Sequence, residues 1–98
     1  MLDKIKAIQG INHNDFNDTI NMWINAGKQE LINIGINSSK VNSGTDDLIN
    51  STIICFVLSQ LDVINSEMYS NSYALMKDTL RHIEGYFEDG IQWDYLFV

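Results

Sequence analysis

Ile53-Ile54-Cys55-Phe56-Val57-Leu58, at the centre of the stretch from Ile49 to Ile64, is the run on which the fold turns. A helix at a protein surface carries one apolar stripe and one polar face. This stretch is apolar nearly all round, so as a helix it must be enclosed by other elements. Six apolar residues in a row also suit a buried strand, and periodicity alone does not separate the two. Length and punctuation do. The helical register runs on through Leu61 and Ile64, Asp46 and Asp47 supply the negative charge favoured in a first turn, and no Gly or Pro interrupts. The reading is a central helix over residues 46–64.

Two long amphipathic stretches lie on either side. Upstream, Phe16, Ile20, Trp23, Ile24, Gly27, Leu31 and Ile34 share one helical face, with Asn17, Asn21, Asn25, Lys28 and Gln29 opposite. The expected helix covers residues 15–34, capped by Asn14 or Asp15 and stopped by Gly35. Gly27 on the apolar face invites close approach by another helix. Downstream, Tyr69, Tyr73, Met76, Leu80, Ile83 and Phe87 alternate at spacings of four and three, the seam of a helix lying along another helix. That helix is expected over residues 67–88 with Ser66 as cap. The link from Ile64 to Glu67 is short, so the last two helices should run antiparallel. Residues 2–9 suit a short helix ended by Gly10, and residues 36–45, rich in Ser, Asn and Gly, read as a loop. The expected fold is all-α: a small bundle of three long helices plus a short N-terminal helix. It forms one domain over residues 1–90 and is followed by an extended C-terminal tail, residues 91–98.

The tail breaks with what precedes it. Ile91, Trp93, Tyr95, Leu96, Phe97 and Val98 are apolar or aromatic, and Ile91, Trp93, Tyr95 and Phe97 recur with the period of a strand. One strand has no partner inside a helical domain. Either it folds back over its own core, or it is loosely held and adds to a partner's sheet edge or pocket on assembly. We favour the second. Trp and Tyr dominate interface energies, and an unpaired aromatic strand is otherwise an aggregation hazard. Ile91, Trp93, Tyr95, Leu96 and Phe97 are therefore the candidate partner-binding residues.

Bulk properties narrow the function. The chain has 98 residues, 45% hydrophobic and 19% charged, which is globular rather than disordered. Its net charge of −7 argues against DNA phosphates or an anionic membrane as the main ligand. The single cysteine, Cys55, sits in the apolar run, where it reads as a small core residue rather than an activated thiol. The N-terminus lacks an apolar signal region, and no apolar run approaches the ~20 residues that span a bilayer. A soluble, non-secreted protein is expected.

Chemistry-bearing motifs are sparse. His13, Asp15 and Asp18 resemble a loose metal cluster, but a helix start explains them better, since a first shell needs convergent ligands. Asp46-Asp47 reads the same way. His82 has no nucleophile near it in sequence. There is no Gly-rich phosphate loop, zinc spacing or nucleophile motif. Neither catalysis nor a cofactor is expected.

Several stretches in order resemble the head–tail connector proteins of tailed phages, also called head-completion or adaptor proteins. They are Leu2-Asp3-Lys4-Ile5-Lys6, Phe16-Asn17-Asp18-Thr19-Ile20, Ile24-Asn25-Ala26-Gly27-Lys28-Gln29-Glu30-Leu31 and Gly35-Ile36. Asp46-Asp47-Leu48-Ile49 and Tyr69-Ser70-Asn71-Ser72-Tyr73 follow, then Leu75, Lys77 and Leu80. The resemblance covers about residues 2–88 and lies in order and spacing rather than in any one motif. Asp47 departs from it, standing where many relatives have proline, and so does Leu61-Asp62-Val63-Ile64, where many have glycine.

The resemblance implies a non-catalytic helical protein at the virion neck, made in the host cytoplasm. It would form a homo-oligomeric ring of about twelve copies under the portal protein. Such a ring extends the DNA channel and docks a tail-side stopper or completion protein. DNA would pass through without specific binding, eased by an acidic wall; no membrane is involved. The competing reading is a small acidic helical regulator that binds another protein through Tyr69, Tyr73 and Met76.

Overall fold

The computed structural model describes residues 1–83, 85 and 86. Among them are five helices: α1 (Leu2–Gln9), α2 (Asn17–Asn33), α3 (Ser38–Ser43), α4 (Asp47–Leu61) and α5 (Ser66–His82). The described part of the fold is all-α.

Helix α4 is the enclosed element. Ile49, Ile53 and Val57 are fully buried, and Ile54, Phe56 and Leu58 nearly so. Its one buried polar side chain, Thr52, donates from Oγ1 to the Leu48 carbonyl at 2.7 Å, so burial leaves no hydroxyl unpaired. The Asp46 side chain starts the helix by accepting the Ile49 N–H at 3.0 Å. Helix α5 covers one side of α4, running antiparallel to it, with Cys55 Sγ 3.7 Å from Met76 Sδ and the Phe56 ring 5.2 Å from that of Tyr73. Helix α2 covers another side, and there Gly27 sets the spacing. A Cβ at Gly27 would lie 3.0 Å from Phe56 Cδ2 and 3.3 Å from Ile53 Cγ2. Glycine lets the two backbones close to a distance no larger residue permits without displacement.

Helix α2 ends in a Schellman-type stop. Gly35, at φ +101°, donates to the Ile32 carbonyl, and Ile36 donates to that of Leu31, each at 3.0 Å. Leu31 and Ile36 are both fully buried, the apolar contact that accompanies this motif.

Four boundaries differ from expectation. The loop expected at 36–45 contains α3. Asn37 Oδ1 accepts the Lys40 N–H at 3.1 Å, and fully buried Val41 pins the helix to the core. A polar composition concealed one cap and one anchor. Helix α2 starts at Asn17 rather than 15, because Asn14 Oδ1 is taken by Lys6 Nζ and Asn17 Nδ2 instead of capping the backbone.

Helix α4 stops at Leu61 instead of continuing to Ile64. Asp62 accepts the Asn65 N–H at 3.0 Å, opening a turn that leads into α5 and leaves Val63 and Ile64 87% and 93% exposed. Finally, α5 begins at Ser66 after Asn65 and ends at His82; Ile83 is extended and Gly85 has φ +92°. Phe87 and the rest of the predicted helix end lie outside the described residues.

Candidate assembly interface

Ile91, Trp93, Tyr95, Leu96 and Phe97, the residues singled out for partner binding, also lie outside the described residues. What the structure places is the root from which they extend. The Tyr86 hydroxyl donates to Asp46 Oδ2 at 2.8 Å, its carbonyl accepts the Asn37 N–H at 2.5 Å, and Lys40 Nζ sits 5.4 Å above its ring. Asp46 therefore serves twice, capping α4 with one oxygen and receiving Tyr86 with the other. Burial pushes its carboxyl up, but hydrogen bonds from Ile49, Tyr86 and Leu48 and the Lys40 charge outweigh that and hold it below the usual carboxylate range. The Tyr86 phenol is raised in turn, first by its hydrogen bond to Asp46 and then by burial.

A second polar knot ties α5 to α2. The Tyr73 hydroxyl donates to Glu30 Oε1 at 2.6 Å, and Lys77 Nζ lies 3.7 Å from the same oxygen and 4.9 Å above the Tyr73 ring. Burial, then Glu30, pushes the phenol far upward, so it stays neutral. Tyr73 is only 7% exposed, and Tyr69 and Met76 are partly buried. The face on which a regulator would offer Tyr69, Tyr73 and Met76 to a partner is thus turned inward in this fold.

Among the described residues the surface carries two concavities and an exposed apolar tip of interest. The larger concavity, about 660 Å³, lies between α1, α2 and the first half of α4, lined by Met1, Lys4, Lys28, Gly44, Asp47, Asn50, Ser51 and Ile54. The smaller, about 290 Å³ and mostly apolar, is lined by Gln9, Ile11, Phe16, Thr19, Ile20 and Leu61. The tip is Val63-Ile64 with half-exposed Met68 at the start of α5. Gln9 Nε2 braces that turn from α1 by donating to Asp62 Oδ2 at 3.0 Å, and this bond, with those from Asn65, holds the Asp62 carboxyl below its usual range.

Sequence reading missed the tip because it extended the helical register through Val63 and Ile64. Asp62 followed three residues later by Asn65 is the turn signal that could have shown it. The union of Asp46 with Tyr86 has no local signal, since 40 residues separate the two.

The residues weighed for chemistry are dispersed. His13 and Asp15 pair at the surface at 3.7 Å, and Asp18 sits in the first turn of α2. Among the described residues no group of three or more His, Cys, Asp or Glu is placed to hold a metal ion. Cys55 is half-buried in the α4–α5 contact, where burial pushes its thiol up. His82 Nδ1 lies 2.7 Å from the Asp78 carbonyl, one turn back on α5.

Comparison with known proteins adds the family. Neither a curated protein nor a solved structure matches the chain. A family model described as phage connector protein matches residues 1–86, which takes in all five helices and ends at the Tyr86 anchor. A match of that extent covers most of the sequence: the chain belongs to the phage connector protein family, a structural rather than enzymatic family of the phage head–tail junction.

Proposed function

We propose that the chain is a head–tail connector that assembles as a ring of about twelve copies beneath the portal protein, by heterologous contacts that close on themselves. The ring lengthens the DNA channel and presents a face to a tail-side stopper or completion protein. Family membership over residues 1–86 carries this reading. The charge supports it, because a wall built from subunits of net charge −7 repels the DNA backbone and lets it slide. The helices act as scaffold, and Trp93, Tyr95 and Phe97, flanked by Ile91 and Leu96, are the anchors to portal or neighbouring subunit.

Electron microscopy of the protein mixed with purified portal tests the ring. Added ring density under the portal is expected; a portal left bare at saturating protein rejects the proposal.

A further inference from the structure

We infer that the cleft between α1, α2 and α4 receives the C-terminal segment, residues 87–98, of a neighbouring copy of this chain. This rests on the ring reading and names the surface on which the tail lands.

Charge is the first argument. The chain has six Lys and Arg against 13 Asp and Glu. Lys6 is held by Asn14 and Asn17, Lys40 stands over Tyr86, and Lys77 pairs with Glu30. Lys4, Lys28 and Arg81 make no ion pair with any described residue, and of these three Lys4 and Lys28 line the cleft. Asp47 offsets one of them, leaving the lining side chains with one net positive charge. The segment brings Glu88, Asp89 and Asp94, interleaved with aromatic residues.

The second argument is an unmet hydrogen bond. Asn50 Nδ2 donates to the Gly44 carbonyl at 2.8 Å, but Asn50 Oδ1 is buried and has no donor among the described residues. A buried acceptor without a donor is costly. An incoming segment offers backbone N–H groups and the Trp93 indole.

Reach is the third. The segment leaves from Tyr86, which is fixed to Asp46 at the start of α4, and Asp47, Asn50, Ser51 and Ile54 line the cleft along the first turns of that helix. Twelve residues extend to at most ~40 Å. The molecule measures 46 × 26 × 18 Å, so the equivalent cleft on an adjacent copy, one molecular width away, is within range.

Disulfide trapping in the full chain tests this. Cys55→Ser clears the native thiol, Ser51→Cys marks the cleft, and Gln92→Cys marks the segment without removing an aromatic anchor. Rings formed on purified portal are oxidised and run under denaturing, non-reducing conditions. A ladder of linked chains that requires both cysteines is expected. Lys4→Glu with Lys28→Glu should cut the linked fraction roughly fivefold, and Glu88→Lys with Asp89→Lys should restore it. An intrachain disulfide overturns the inference, assigning the cleft to the chain's own tail. Rings seen by microscopy without any link overturn it while leaving the connector reading intact; failure to form rings overturns both.

Discussion

Asp46 is the residue on which most depends, because one carboxylate caps α4 and anchors Tyr86. Tyr86→Phe removes the hydroxyl and keeps the ring, and should cost about 1 kcal/mol in urea unfolding, less than a fully buried bond to a charged acceptor because this one is only partly buried. The pH dependence has a definite sign. The folded-state value for Asp46 lies below the unfolded one, so its contribution is complete above the unfolded value of about 4 and disappears as pH falls through the folded value. The stability gap between the native chain and Asp46→Asn should therefore narrow from about pH 6 to about pH 3; an unchanged gap refutes this assignment. At Gly27 the constraint is space. Gly27→Leu must displace the Phe56 ring and Ile53, and should lower stability by about 3 kcal/mol with a fall in the chemical denaturation midpoint.

Among the elements, α4 and the turn after it make the sharpest contrast. Ile53 and Ile64 are eleven positions apart and equally apolar, yet Ile53 is fully buried and Ile64 is 93% exposed. Ile53→Ser should destabilise by about 3–5 kcal/mol, through a cavity and a hydroxyl inserted into the core. Ile64→Ser should stay within about 0.5 kcal/mol of the native chain. Equal effects would mean that α4 continues past Asp62. Helix α1 was readable to both its ends, Leu2 and Gln9, because Gly10 takes the left-handed conformation that closes the helix. Helix α3 was not, since six polar-rich residues carry no periodic stripe and the element is set by the Asn37 cap, the buried Val41 and the left-handed Gly44 stop.

At the scale of the whole molecule, α2, α3 and α5 pack against α4 among the described residues, α1 packs on α2, and the last described residue is pinned at one end of α4. The prediction that belongs here concerns residues 91–98. Removing them should leave the cooperative unfolding of the helical part in place and sharply weaken binding to purified portal, measured by co-sedimentation. Unchanged binding would transfer the contact to the helices.

The helical class, the enclosed run from Ile53 to Leu58, the stop at Gly10 and the kinship with connectors were all present in the order of residues. Helical periodicity, capping and glycine stops are encoded within three or four neighbours, so a linear text carries them. The meeting of Asp46 with Tyr86, of Glu30 with Tyr73, the depth of Gly27 against Phe56 and the placing of Lys4, Lys28 and Asn50 on one cleft were not. Those pairings join residues distant along the chain. They exist because two or three helices must pack against α4 at one particular rotation and depth, and that choice is made by the packed core as a whole.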